Sequence, residues 1–126
     1  MPFSKLGLSA SITDAVKALG YEKPTSIQQK AIPIVLRGSN LIAAAQTGTG
    51  KTASFVLPIL EKLSQGETQR KKRARAIILT PTRELALQVH QSIEAYGKNL
   101  PLRSMAMFGG VDYAPQKQAL IEGVDI

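Results

Sequence analysis

The chain has 126 residues, 44% of them apolar and 20% charged, the balance of one soluble globular domain or part of one rather than of a disordered tail or a membrane protein. Its longest apolar stretch, Leu41 to Ala45, falls far short of the ~20 residues a bilayer helix needs, and the N-terminus lacks the basic-then-apolar layout of a signal peptide. No cysteine and a single histidine, His90, leave no disulfide framework, no thiolate site and no metal cluster, so a cytoplasmic protein is expected.

Sixteen Lys and Arg against nine Asp and Glu give +7, which suggests a polyanionic partner. Five of the sixteen are Arg70, Lys71, Lys72, Arg73 and Arg75, and without them the balance is only +2. Such a run reads first as a solvated loop and second as a nucleic-acid contact.

In chain order, Ser9 is placed to cap a helix whose apolar positions Ile12, Ala15, Val16 and Leu19 keep helical spacing, with Gly20 ending it in a left-handed turn. Pro24 and Thr25 open a second helical stretch, capped by Thr25 and carrying Ile27, Gln28 and Ala31. Pro33 is expected to break or restart it before Gly38 closes the segment. From Asn40 the rhythm changes. Leu41-Ile42-Ala43-Ala44-Ala45 reads as a strand, Gly48 and Gly50 as a loop, and Lys51 to Leu63 as a helix. Ala76-Ile77-Ile78-Leu79, stopped by Pro81, repeats that unit with Leu85, Ala86, Val89, Ile93 and Tyr96 at helical spacing. Met105-Ala106-Met107-Phe108, the pair Gly109-Gly110 and a helix from about Ala114 to Ile121 make a third copy, and Gly123 to Ile126 reads as the start of a fourth strand. Successive strand-then-helix units with strands apolar on both faces predict an α/β fold, a parallel sheet with flanking helices and right-handed crossovers, with the chain stopping mid-fold. A sheet with an unpaired edge is expected to self-associate or exchange strands.

Ala45-Gln46-Thr47-Gly48-Thr49-Gly50-Lys51-Thr52 lies between the first strand and its helix, the setting of a phosphate-binding loop. Gly48 and Gly50 can present backbone N–H donors because they tolerate unusual dihedrals, and the helix N-terminus adds its positive dipole end. Lys51 offers a point charge to the β and γ phosphates, and Thr52 a hydroxyl for Mg²⁺, a hard cation that prefers oxygen. The general G-x-x-x-x-G-K-[ST] pattern has glycine where this chain has Ala45. An ordinary strand-to-helix turn with an exposed lysine is the alternative, and the setting favours a nucleoside triphosphate site.

This segment resembles motif I of the DEAD-box RNA helicases, where alanine at the first position is usual. Gly20 to Gln29 resembles that family's Q motif, with Phe3 at the spacing of its isolated upstream aromatic. Pro81-Thr82-Arg83-Glu84-Leu85-Ala86 resembles motif Ia, and Gly109-Gly110 the GG motif. The motifs occur in the family's order over the whole chain, and the N-terminal stretch is most similar to the bacterial RhlE-type branch. The resemblance implies a RecA-like P-loop NTPase fold, with residues 1–30 as a Q-motif segment and 31–126 as the first part of the ATP-binding domain. It implies ATP bound with Mg²⁺ by Tyr21, Gln28 and the residues Ala45, Gln46, Thr47, Gly48, Thr49, Gly50, Lys51 and Thr52. Lys51 and Thr52 would be this chain's catalytic contribution, and Thr52 its metal ligand.

The resemblance assigns Gln28 to the adenine edge and Tyr21 to stacking on the ring. A glutamine amide offers an acceptor and donors that match adenine, whereas guanine places its O6 acceptor where adenine has a donor, so ATP is favoured over GTP. Read from residue type alone, Tyr21 is a half-buried core aromatic, and Phe3 a packing residue that pins the N-terminal segment. The same resemblance places Pro81, Thr82, Arg83, Gly109 and Gly110 on the RNA backbone, in sequence-tolerant contact. Read without it, Pro81 to Ala86 is a strand end and a helix start, with Glu84 favourable in the first turn. Ribosome or RNA-degradation assemblies are the implied settings for a full-length protein, with no membrane. His90 is read as a solvated helix residue without a role.

Hydrolysis needs carboxylates to hold Mg²⁺ and orient water, and the family takes them from an Asp-Glu-Ala-Asp motif that does not occur here. These residues are therefore expected to be about the first third of a helicase core, inactive alone, whose full-length protein is an ATP-dependent helicase that locally unwinds short RNA duplexes. The alternative is a non-catalytic adenine-nucleotide-binding module.

Overall fold

The computed structural model describes residues 2–46, 48, 50–65 and 73–126, and its regular elements are a 3-10 helix, Phe3–Leu6, and the helices α1 (Ala10–Ala18), α2 (Ser26–Leu36), α3 (Lys51–Gln65), α4 (Arg83–Tyr96) and α5 (Ala114–Glu122). Thr47 and Thr49 of the phosphate loop, and Arg70, Lys71 and Lys72 of the basic run, lie outside the described residues.

Helix α1 ends as expected. The Gly20 N–H donates to Lys17 O at 2.9 Å and the Tyr21 N–H to Val16 O at 3.2 Å, with Gly20 at φ +88°. That paired arrangement closes the last carbonyls of the helix and fixes the direction in which Tyr21 leaves it. Its start differs from expectation. Ser9 occupies the cap position, but its side chain makes no capping bond. Its backbone N–H donates instead to Glu61 Oε2 of α3 at 2.9 Å, so the end of α1 is held by a tertiary contact.

Helix α2 runs unbroken through Pro33, against the expectation of a break. Proline removes one intrahelical donor and crowds the preceding turn. Here Ile32 and Ala31 are buried against α3, and the Arg37 N–H still reaches Pro33 O at 3.1 Å, so packing outweighs the single lost bond. Pro58 is likewise accommodated inside α3.

One apolar core joins the N-terminal helices to α3 and α4. Ile12, Val16, Ile32, Val56, Leu57 and Leu60 are essentially closed to solvent, with Phe3, Leu6, Leu8, Val89 and Ile93 around them. Each such side chain contributes on the order of 1.5–3 kcal/mol of burial, so the core as a whole outweighs any single cap in this region. Phe3 packs in that core, as its aromatic character suggests.

The expected parallel sheet does not form as regular strands: among the described residues there is none. The segments 41–45, 76–79 and 105–108 are non-helical, and Ile42, Ile77 and Leu79 are largely or wholly exposed. A strand is stable only within a ladder, and among the described residues these segments lack backbone partners on one or both sides. One register is visible. The Ile126 N–H donates to Arg103 O at 3.2 Å and the Met105 N–H to Ile126 O at 3.1 Å, bracketing Ser104 in the parallel pattern. On the other side, the Arg75 and Ala76 N–H groups both reach Asp125 O, at 2.8 and 3.0 Å. The C-terminal segment thus lies between the segments that precede α4 and α5.

Arg75 locks this arrangement. Its Nη2 and Nε meet Asp125 Oδ1 at 2.8 and 3.2 Å and its Nη1 donates to Leu63 O at 3.1 Å, while Asp125 Oδ2 accepts from the Arg103 N–H at 3.0 Å. One member of the basic run is therefore a structural ion pair, not a free nucleic-acid contact. Arg73 remains exposed.

Candidate nucleotide and RNA site

The N-termini of α2 and α3 meet at one cleft of about 780 Å³. Thr25 caps α2 in a reciprocal box with Gln28, whose Oε1 accepts from the Thr25 N–H at 2.9 Å. The remaining end of the Gln28 amide, Nε2, donates to Gly50 O at 3.2 Å. Gln28 is only 5% exposed, so its polar atoms are satisfied by the helix cap and by the phosphate loop together. Gly50 has φ +85°, and a Cβ there would collide with the Gln28 amide. Only glycine combines that conformation with so close an approach.

Gly48 also lies in the left-handed region, at φ +83°, but faces open space. Lys51 begins α3 with an exposed side chain and no ion pair among the described residues, and Thr52 follows it. Left-handed glycines, an unpaired ammonium and a hydroxyl at a helix N-terminus form a donor set that fits a polyphosphate with a hard divalent cation. Tyr21, Gln28, Gly48, Gly50, Lys51 and Thr52 line this cleft together. Ala45 lies in a neighbouring recess beside Thr25 and Ile27, and Gln46 is exposed; neither lines the cleft.

Tyr21 is 52% exposed, at the cleft edge rather than in the core. Its ring lies 6.4 Å from that of Tyr96, inclined at 57°. Burial, then the neighbouring Tyr21 hydroxyl and its hydrogen bond, push the Tyr96 pKa up to about 12. Tyr96 was legible in the sequence as an apolar position of α4, but its partnership with Tyr21, across a chain separation that carries no local pattern, was not.

The far wall of the cleft carries Ile78, Leu79 and Thr80 and leads to the second group of expected residues. Thr82 caps α4, its Oγ1 accepting from the Leu85 N–H at 3.1 Å. Arg83 Nη2 donates to Gly109 O at 2.9 Å, and its guanidinium carbon stands 5.0 Å from the Phe108 ring centroid. Thr82, Arg83, Gly109 and Gly110 thus gather on one exposed edge, with Pro81 beside them and Glu84 exposed in the first turn of α4. His90 is not simply solvated: its Nε2 lies 2.8 Å from Glu94 Oε1 and its Nδ1 3.3 Å from Ser104 Oγ, tying α4 to the segment before α5. Among the described residues no three His, Asp or Glu side chains gather to hold a metal ion.

The profile of the DEAD/DEAH box helicases matches residues 25–126. The chain belongs to that family. It is 45% identical over 120 residues to an ATP-dependent RNA helicase CshA of Limosilactobacillus reuteri, covering 95% of this chain and 23% of that protein. It is 42% identical over 118 residues to an ATP-dependent rRNA helicase rrp3 of Aspergillus oryzae, covering 94% and 24%. Among solved structures, a DEAD box protein from the hyperthermophile Methanococcus jannaschii superposes with a TM-score of 0.84 at 45% identity, over 95% of this chain and 32% of that one. The RNA helicase Prp28 from Chaetomium thermophilum, bound to ADP, gives 0.86 at 38% identity, over 94% and 29%. The chain therefore spans about a quarter of the length of these curated relatives. As a DEAD-box helicase segment, it has RecA-like domains of such helicases as structural neighbours, despite the irregular backbone where strands were expected.

Proposed function

We propose that the full-length protein is an ATP-dependent RNA helicase that binds Mg²⁺-ATP in the cleft between Gln28 and Lys51, holds single-stranded RNA along Pro81 to Arg83 and Gly109-Gly110, and locally unwinds short duplexes. The observation that carries this reading is the Gln28–Gly50 hydrogen bond beside the exposed Lys51, which joins a base-reading amide to a phosphate loop in one cleft. Gln28 would exchange its present partners for the adenine edge, and Tyr21 offers an exposed face for stacking. Gly48, Gly50 and Lys51 would take the phosphates; Ala45, Gln46, Thr47 and Thr49 complete the loop by sequence. The Thr52 hydroxyl would help hold Mg²⁺, which when bound spreads the phosphate charge.

Thr82, Arg83 and the glycine N–H groups suit phosphate and ribose contacts that position a strand without reading it. In the full-length protein, the segments 41–45, 76–79 and 105–108 would be strands of a parallel sheet, a reading supported by the parallel register in which Ile126 bonds to Arg103 and Met105. Within the family, Phe3 and Gly20 to Gln29 support the RhlE-type branch, a cytoplasmic bacterial setting. A ribosome-related assembly is a fitting context, since relatives are named rRNA helicases.

A titration of the full-length protein with Mg²⁺-ATP and Mg²⁺-GTP tests this. ATP should bind, GTP should not, and Lys51→Ala should abolish binding; GTP binding equal to ATP would overturn the adenine assignment. Residues 1–126 alone should hydrolyse nothing, because the Asp-Glu-Ala-Asp motif from which the family takes its metal- and water-positioning carboxylates does not occur in them. Lys51-dependent turnover by the purified segment would refute this. Tight, selective ATP binding by the segment would instead favour the nucleotide-binding module.

A further inference from the structure

The turn after Phe108 is held by residues of two helices, α4 and α5. Gln116, in the first turn of α5, makes a two-point bond to a single residue. Its Oε1 accepts from the Phe108 N–H at 3.1 Å and its Nε2 donates to Phe108 O at 3.2 Å, with Asp112 O a further acceptor at 3.5 Å. The side-chain amide stands in for the peptide group of a neighbouring strand and satisfies both backbone groups of Phe108. From α4, Arg83 donates to Gly109 O and lies over the Phe108 ring. Gly110, at φ +77°, leaves only 2.9 Å between a would-be Cβ and Arg83 Nη2.

The outer face of the turn is open. Nothing lies within 4 Å of a Cβ position on Gly109, and the N–H groups of Gly109 and Gly110 have no acceptor among the described residues. The turn is thus held through the Phe108 backbone and the Gly109 carbonyl, while the N–H groups of Gly109 and Gly110 are left for another acceptor.

We propose that Gln116 is a positioning residue for RNA: it fixes the conformation in which Gly109 and Gly110 aim their N–H groups at a phosphate, and does not itself touch RNA. The inference rests on the reading that this turn contacts the RNA backbone. Without the Gln116 amide, Phe108 loses both partners and the turn must be ordered by the ligand, which lowers affinity. No charge is removed, so the ionic component of binding stays.

The test measures binding of the full-length protein to a fluorescein-labelled oligouridylate, with a non-hydrolysable ATP analogue, across a salt series. Gln116→Met, of similar length without the amide, should weaken RNA binding by roughly tenfold at every salt concentration. The slope of log affinity against log salt and the ATP affinity should be unchanged, with the melting temperature lowered by no more than the few degrees that two local hydrogen bonds contribute. A slope reduced by about 0.7, the value for one phosphate neutralised on a single strand, would show that a cationic contact rather than the glycine N–H groups depends on the Gln116 amide, and would overturn the proposal. A fall in melting temperature together with ATP affinity would make the role merely structural and overturn it too. Gly109→Val separates the two levels of the argument. If Gly109→Val weakens RNA binding and Gln116→Met does not, this inference alone fails; if Gly109→Val has no effect, the turn does not contact RNA and both fall. Should Gln116→Met not fold, Gln116→Asn, which keeps an amide one methylene short, provides the same comparison.

Discussion

The Gln28 amide donates to the Gly50 carbonyl across 3.2 Å, although the two residues are 22 positions apart. The cap of α2 and the phosphate loop are therefore one mechanical unit. Gln28→Ala should remove half of the capping box and the tether to the loop, lowering stability by about 1 kcal/mol in denaturant unfolding. In a nucleotide titration the same variant should bind ATP more weakly and lose preference over GTP. An unchanged preference would assign base discrimination elsewhere.

Gly48 and Gly50 share a left-handed backbone but not a neighbourhood. Gly48→Ala should cost about 1 kcal/mol for its conformation, since its Cβ would enter open space. Gly50→Ala adds a clash with the buried Gln28 amide and should be the more destabilising. ATP titration should follow the same order, with Gly50→Ala non-binding and Gly48→Ala weakened. Equal effects would show that the clash is relieved by movement of Gln28.

Arg75 and Asp125 meet with only 16% and 15% of their side chains accessible, and Asp125 also holds the Arg103 N–H. Asp125→Ala leaves the guanidinium without its carboxylate and should destabilise by about 2 kcal/mol. Arg73→Ala, at an exposed neighbour, should change stability by less than about 0.5 kcal/mol. Urea midpoints of the two variants give the comparison.

Tyr96 binds its proton more tightly in the folded chain, with a pKa near 12 against the ordinary value near 10. Its contribution is fully present below pH 10 and is lost as pH rises through 12, because the unfolded chain releases the proton first. Stability measured between these values should fall more steeply in the wild type than in Tyr96→Phe. Parallel slopes would remove Tyr96 from the account.

Local pattern carries the helices well. Gly20 ends α1 as its position suggests, Thr25 caps α2, and the apolar spacing of Leu85 to Tyr96 marks α4. Capping and 3.6-residue periodicity are properties of near neighbours, so one stretch of sequence contains them. Pro33 misleads for the opposite reason: its local penalty is visible in the sequence, whereas the burial of Ile32 against α3 that offsets it is not. The apolar runs 41–45 and 76–79 mark where strands belong, but a ladder depends on the partner alongside, and regular strands are absent among the described residues.

The same division runs through the site. By itself the sequence determined the chemistry available: a glycine loop ending in Lys51-Thr52, a Gln28 upstream, and Thr82-Arg83 with Gly109-Gly110 beyond. Each depends on residue type and short spacing. Only the tertiary structure decided that Gln28 is bonded to Gly50, that Tyr96 supports Tyr21, that Arg75 is held by Asp125, and that Gln116 braces Phe108. Those are pairings between surfaces brought together by burial of the apolar core, and a hydrogen bond between distant residues leaves no periodic trace in either partner's neighbourhood.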